Sequence, residues 1–446
     1  MKTHASRHLI VFRPVIVLAI AAVLQACAPQ GTPEVHEADM PPVTAARPIA
    51  DLMTYPQDLS AYAKNLPQIP FPAGSDRMKR MFYSAWRAES ADPDAAAMFR
   101  SLLKPQNANT AENLLPWTDR RLSLLARASD WDSFDPAAVR HAVTVRPCSL
   151  RAAPTDRPRF EHASLPGKGY PFDLFQQALL PTGFPIAVFH ASRDGMWLYA
   201  ESPLACGWVR SDAVAFAGSS LRELWQKSRL AVCVKDNTAL RAEAGFASTI
   251  AHIGAMLPVD DKGNLLFPVR TADGFAAMRS CKGMPSGFTL FPLAATPNNI
   301  AVIGNELIGE AYGWGGFAED RDCSGMMRDL FAVFGVWLPK YSGGQKNAGR
   351  VVSLADLSAA KKKETIVSDG IPFRTLIYMP GHIGLYVGSR NGEPLLFHNA
   401  WGLATKDKGR ILIGRAVITS LEPGKEYKDL AAPLIQRVTA MTILGE

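Results

Sequence analysis

The sequence predicts a multidomain α+β protein with an N-terminal helical domain, two small β-barrels and a C-terminal α+β domain. Three observations lead there. The chain has 446 residues, enough for two to four domains at the usual ~100–200 residues each. Hydrophobic residues make up 48% and charged residues 20%, which excludes a disordered chain, a coiled coil and a collagen-like repeat. The spacing of apolar residues also changes along the chain, from helical, to alternating and punctuated by turns, to mixed. The 33 Pro and 34 Gly are dispersed, so short elements and many turns are expected. The only long apolar run lies near the N-terminus, which excludes a polytopic membrane protein.

Residues 1–26 read as an export signal. Lys2, Arg7 and Arg13 form a basic head, Val15–Leu24 is apolar, and Leu24-Gln25-Ala26-Cys27 follows. The apolar stretch is too short to cross a bilayer, which takes ~20 residues. Leu24 and Ala26, before Cys27, resemble a bacterial lipobox, so Cys27 is expected to carry a lipid. Ala28, in place of Asp, resembles outer-membrane sorting. The expectation is an exported, periplasmic lipoprotein held at the outer membrane. Residues 27–50 are rich in Pro, Ala, Thr and Glu and read as a flexible tether. The formal charge of +7 is spread along the chain. Its one dense run, Lys361-Lys362-Lys363, is followed at once by Glu364 and reads as a solvated face, so no nucleic-acid partner is expected.

Residues 51–141 carry helical spacing. Met78, Met81, Phe82 and Trp86 share one face, and Leu122, Leu125 and Ala126 repeat it over Asp119–Ser129. Asp92-Pro93, Lys104-Pro105 and Leu115-Pro116 separate the helices. This segment reads as packing. Residues 142–220 alternate: Val143-Thr144-Val145, Ile186–Phe189, the turn Arg193-Asp194-Gly195 and Met196–Ala200 give strands at barrel spacing. Residues 221–297 read as a diverged second copy. Ala239-Leu240-Arg241-Ala242 echoes Ser149-Leu150-Arg151-Ala152, and Leu265–Arg270 pairs with Gly274–Arg279. Both segments resemble bacterial SH3-like barrels, the first more clearly.

Residues 298–446 carry the chemistry. Asn299–Tyr312 is a predicted helix, followed by the turn Tyr312-Gly313-Trp314-Gly315-Gly316. Asp322-Cys323-Ser324-Gly325 then opens a second helix whose apolar face is Met326, Met327, Leu330, Phe331 and Phe334. Thr375–Met379, His382–Val387 and Leu395–Asn399 are predicted strands, with Asn391-Gly392 a hairpin turn. Setting Cys27 aside, five cysteines remain: Cys148, Cys206, Cys233, Cys281 and Cys323. An odd number leaves one thiol unpaired. Pairing Cys148 with Cys206 and Cys233 with Cys281 keeps each bridge inside one barrel; reduced, buried cysteines are the alternative.

Cys323 is the candidate nucleophile. A thiol attacks as thiolate, and a helix start favours negative charge. A histidine able to take the proton completes the pair. Pro380-Gly381-His382 supplies one, with Gly381 letting the strand approach closely. His398 is the candidate to orient the imidazole. No His-x-x-x-His or Cys-x-x-Cys pair occurs in this segment, so metal binding is not expected.

Together, Tyr312-Gly313-Trp314-Gly315-Gly316, Asp322-Cys323-Ser324-Gly325, Gly381-His382-Ile383-Gly384-Leu385-Tyr386 and His398-Asn399-Ala400-Trp401-Gly402 resemble the NlpC/p60 cell-wall peptidases, papain-like cysteine enzymes. One branch of them has a helical domain and two SH3-like barrels ahead of the peptidase. The resemblance implies Cys323 as nucleophile, His382 as general base and then acid, and His398 as the residue orienting it. It implies Tyr312 beside the oxyanion, Asp322 holding a substrate amine, and Ser324 on the same rim. Tyr312 packing the turn and Asp322 capping the helix are the plainer roles. Trp197 and Tyr199, on a barrel strand, are expected to wall the groove. The implied reaction cuts peptidoglycan stem peptides between γ-D-glutamate and a diamino acid, meso-diaminopimelate in an exported diderm protein, with no metal or organic cofactor, by a monomer. The alternatives are a non-catalytic wall-binding lipoprotein, or a papain-like amidase or acyltransferase on another substrate.

Overall fold

The computed structural model describes residues 44–72, 74–104 and 109–445. The expected signal segment, Cys27 and most of the 27–50 tether lie outside the described residues. The described chain is a multidomain α+β protein: helices, then small β units, then a helix-flanked sheet.

The end of the expected tether is ordered. Thr44–Ala46 adds a parallel strand to the edge of the C-terminal sheet, pairing with Arg410–Leu412. The next turns of chain stay on that sheet. Asp51 accepts hydrogen bonds from the Ser420 backbone N–H and hydroxyl, both 2.7 Å. The Leu59 N–H donates to Asn305 Oδ1 at 2.7 Å. Pairing the sheet edge and satisfying Asp51 together hold a segment whose composition alone suggests a linker.

The helices farther on follow their periodicity. Ser75–Phe82 buries Met78 and Phe82, and the turn Ser84–Arg87 continues the face with Trp86. Asp119–Ser129 begins where the Thr118 hydroxyl accepts from the Arg121 N–H, 3.3 Å, an N-cap. The turn Ser84–Arg87 packs on two strands of the first barrel, and Leu122 of the second helix joins the apolar layer on that barrel's outer face. Its seven strands run in the order Gln176–Leu180, Cys148–Arg151, Cys206–Arg210, Trp197–Glu201, Pro185–Ala191, Arg140–Thr144 and Val214–Phe216. Alternation sends Ala200 into the barrel core and Trp197 and Tyr199 outward. There Tyr199 meets Trp131 at 5.1 Å and Phe99 at 5.5 Å between ring centroids, so the helical segment and the barrel share one aromatic core.

The second β unit holds three small sheets, including Arg229–Cys233 between Met256–Val259 and Phe288–Leu290. Cys148, Cys206, Cys233, Cys281 and Cys323 are all free thiols. Neither intra-barrel bridge is formed.

The C-terminal sheet orders its strands as Thr44–Ala46, Arg410–Ser420, Glu393–Ala404, His382–Arg390, Thr375–Met379, Ala440–Ile443 and Arg350–Ser353. The helix Cys323–Ala332 packs on the two central strands. The helix expected over 299–312 is observed over Pro297–Asn305; the chain then runs through a turn closed by Gly309, with φ +85°, a conformation that favours glycine. The lysine run also departs from a solvated face. Lys361 and Lys363 pair with carboxylates, whereas Lys362 is buried and donates to the Val438 carbonyl at 2.7 Å and the Gln436 carbonyl at 3.2 Å. A charge run confined to one helix turn points in several directions, and one of them here faces inward.

The first barrel meets the C-terminal domain along Gln176–Leu180. The turn at Gly315 and Gly316, with φ of +61° and +90°, lies directly against that strand. A Cβ on Gly316 would stand 2.4 Å from Leu179 Cβ and 2.8 Å from its backbone N. Gln176 Nε2 donates to the Gly315 carbonyl at 3.1 Å. Behind it, Arg151 bonds both Gln176 Oε1 and the buried Asp173 carboxylate, at 2.9 and 2.6 Å.

This packing makes two substitutions informative. Trp131→Ala, which removes the centre of the shared aromatic core, lowers stability by about 3–5 kcal/mol, read as a fall in denaturant midpoint at unchanged slope. Gly316→Ala combines a disfavoured φ with a backbone clash and costs about 1–3 kcal/mol; an unchanged midpoint would show that the strand and the turn are not in register.

Candidate active site

The site is assembled by one carboxylate. Asp322 ends an extended segment and caps the helix Cys323–Ala332. Its Oδ1 accepts from the Gly325 N–H at 2.7 Å and from the Ser324 hydroxyl at 2.8 Å. Its Oδ2 accepts from the Gly315 N–H at 3.0 Å. The helix start, the glycine turn and the cysteine are thereby tied together, and capping, the plainer of the roles expected for Asp322, is the one observed. The preceding Arg321 is buried and donates to Asp236 of the second β unit, Glu310 and Asp329, each through a contact of 2.8 Å. Asn399 Nδ2 donates to the Arg321 carbonyl at 2.9 Å, which joins the loop to the strand that carries His398.

Cys323 is the first residue of the helix and is 6% exposed. It lines a cleft of about 350 Å³ together with Asp322, Ser324, Trp314, Arg328 and Tyr341 on the domain's own side. Gln176–Leu179 of the first barrel form the facing wall. The helix start is opposed here by burial. Burial pushes the Cys323 thiol up to about 12, and the Asp322 carboxylate adds to the shift. The backbone N–H groups of Ile383, Ser324 and Cys323 itself act in the opposite direction and are outweighed. Desolvation and the helix terminus therefore act in opposite directions on this thiol, and desolvation is the larger.

His382 begins the strand His382–Arg390, which packs against the helix that Cys323 opens. Its Nε2 lies 2.7 Å from His398 Nδ1. His398, 0% exposed, places its own Nε2 3.0 Å from Thr419 Oγ1. Burial, with Arg437 nearby, lowers His382 to about 4. Burial and the neighbouring His382 hold His398 well below the ordinary histidine range. Both rings are neutral at pH 7. The glycine that allows this approach is not Gly381, whose missing Cβ would face open space. It is Gly384, where a Cβ would stand 2.8 Å from His398 Cβ.

Tyr312 is buried, 8% exposed, in an aromatic group with Phe172 and Trp401 at 6.0 and 6.1 Å. Burial, with Cys323 and Asp322 close by, keeps its hydroxyl protonated. Trp197 and Tyr199 do not wall the cleft. They are 5% and 0% exposed inside the aromatic core shared with the helical segment. The strand that faces Cys323 is Gln176–Leu180, at the edge of the same sheet. Sequence reasoning puts the barrel wall on the wrong strand because alternation assigns faces but not which edge meets a neighbour. Thr419 and Gln176 carry no sequence signal of their own; strand registers bring them in. Among the described residues, no three His, Cys, Asp or Glu side chains gather as a metal would require. No helix among them is long and apolar enough to cross a membrane.

Comparison with known proteins agrees with this architecture. The description NlpC/P60 family matches residues 309–405, the NLPC_P60 N-terminal stabilising domain residues 16–134, and an SH3 domain of SH3b1 type residues 158–210. A γ-D-glutamyl-L-lysine dipeptidyl-peptidase of Bacillus subtilis is 31% identical over 134 residues, 30% of this chain and 42% of that protein. The peptidoglycan endopeptidase RipB of Mycobacterium tuberculosis is 39% identical over 87 residues, 19% of this chain and 30% of that one. The chain thus spans less than half the length of either curated relative. An NlpC/P60 endopeptidase structure from Photobacterium damselae subsp. piscicida superposes with a TM-score of 0.81 at 27% identity, over 90% of this chain and 99% of that one. The chain thus carries an NlpC/P60 domain behind an NLPC_P60 stabilising domain and an SH3b domain, an architecture shared with that endopeptidase.

Proposed function

We propose that the chain is a cell-wall hydrolase, a cysteine peptidase that cuts peptidoglycan stem peptides between γ-D-glutamate and a diamino acid, meso-diaminopimelate. The observation that carries the reading is the ordered imidazole pair, His382 Nε2 to His398 Nδ1 at 2.7 Å, on the strand packed against the helix that Cys323 opens. With Nε2 so engaged, His382 has only Nδ1 left to serve a thiol. The names of the two curated relatives, a γ-D-glutamyl-L-lysine dipeptidyl-peptidase and a peptidoglycan endopeptidase, support the substrate class. The export signal and a lipid on Cys27 belong to the same reading, and put the enzyme where its substrate is.

In this mechanism the Cys323 thiol gives its proton to His382 as sulfur attacks the γ-amide carbonyl. The oxyanion is met by the Cys323 N–H at the helix start, with Tyr312 as a protonated hydroxyl beside it. The C–N bond breaks, the departing amine takes the proton from His382, and a thioester remains. Water, activated by the same imidazole, hydrolyses it to the free γ-carboxylate and restores the thiol. Asp322 and Ser324 line the cleft, where Asp322 offers negative charge to a substrate amine.

Cys323→Ala abolishes peptide release, and mass spectrometry of muropeptides digested by the wild type finds a γ-D-glutamyl terminus. Equal release by the variant would sink the reading of Cys323 as nucleophile, and a different new terminus would select another amidase reaction. His382→Ala loses activity as fully as Cys323→Ala. His398→Ala loses less, because orientation is part of the base's work, and general-base catalysis as a whole contributes ~10²–10⁴-fold.

The pH dependence has a defined sign. Burial disfavours the imidazolium, so the folded pKa of His382 lies below 6.5, near 4, and the base form is kept as pH falls to that range. The acid limb of kcat/KM, which reports the free enzyme, is therefore centred nearer 4 than 6.5. A limb at or above 6.5 would mean that the ring is solvated.

A further inference from the structure

The hydrogen-bond chain does not stop at the two histidines. His382, His398 and Thr419 lie on one face of three neighbouring strands. His398 stands opposite Val417, and Thr419 is two residues farther along the same strand, opposite Leu396. Each side chain reaches the next diagonally, as residues of one sheet face can. Thr419 is 0% exposed, and its hydroxyl also lies 2.7 Å from the Ser420 carbonyl oxygen.

That last contact sets the direction of every other. A carbonyl oxygen carries no proton, so at 2.7 Å the Thr419 hydroxyl must donate to it. The hydroxyl has one proton and has spent it, so toward His398 it can only accept. His398 must then carry its proton on Nε2 and present a lone pair at Nδ1. His382 must donate to that lone pair from its own Nε2, and its bare nitrogen is Nδ1. The carbonyl at the end of the chain is itself fixed, because the Ser420 N–H and hydroxyl are both held by Asp51.

We propose that Thr419 is a positioning residue that sets the tautomers of His398 and His382, leaving His382 Nδ1 free to accept the proton of Cys323. The proposal rests on the peptidase reading above for its consequence, but not for the tautomers themselves. Without the hydroxyl, the buried His398 Nε2–H loses its acceptor, and the ring is better satisfied with its proton on Nδ1. His382 must then accept at Nε2, its own proton moves to Nδ1, and the base faces the thiol already loaded. Second partners of this kind fix the orientation of imidazoles generally.

The test uses the full chain with ¹⁵N-labelled histidine rings, as wild type, Thr419→Val and Thr419→Ser. In the wild type, ring-nitrogen shifts show His398 protonated on Nε2 and bare at Nδ1. Thr419→Val moves that proton to Nδ1 and lowers kcat by about 10–100-fold at unchanged KM. Thr419→Ser, which keeps the hydroxyl, restores both. A wild-type His398 protonated on Nδ1 overturns the proposal even if Thr419→Val does not fold. A loss of kcat in Thr419→Val with the tautomer unchanged also overturns it, since the threonine then acts only through packing. The tautomers are read without substrate, so a failure of the peptidase reading would show separately, as a wild type that releases no peptide.

Discussion

The Asp322 carboxylate is the constraint on which the site depends. Its two oxygens hold the first turn of the cysteine helix and the glycine turn that precedes it. The glycine turn in turn lies flat against the barrel strand Gln176–Leu180, closer than any side chain on Gly316 would allow. One carboxylate therefore sets where the thiol stands, how the loop beside it runs, and how near the first barrel comes. The domains flanking the sheet serve the same end. Asp236 of the second β unit secures Arg321, next to Asp322, and Asp51 of the N-terminal segment secures Ser420, next to Thr419.

Burial gives the chemistry its character. A cysteine at a helix start and a histidine nearby suggest an ion pair formed in advance. Burial acts against such a pair: it raises the thiol and lowers the imidazole. In the proposed reaction, charge develops as the sulfur attacks, when the backbone N–H groups at the helix start have an oxyanion to stabilise.

Much of this architecture is legible in the sequence. The change from helical to alternating spacing locates the N-terminal helices and the strands of the first barrel. The run Asp-Cys-Ser-Gly after a glycine turn, and the two histidines flanking an Asn-Gly hairpin, locate the site, because these are local signals. Whatever depends on which edges meet is not legible. Trp197 and Tyr199 satisfy an aromatic core rather than a groove, since alternation does not say what covers a face. Residues 44–46 look like linker and are strand, since an edge position is supplied by residues 410–412, far away in sequence. Gly384 rather than Gly381 makes room for His398, and Thr419 joins the pair, because both depend on registers that only the folded sheet defines.

The claim that a single buried, neutral thiol does the cutting is tested most directly by an L-alanyl-γ-D-glutamyl diazomethyl ketone, which places an electrophile where the scissile carbonyl would lie. The account predicts one equivalent of label, on Cys323 alone, lost when the protein is unfolded beforehand. Label on the more exposed Cys206, or none on Cys323 in a protein that still releases peptide, would contradict it.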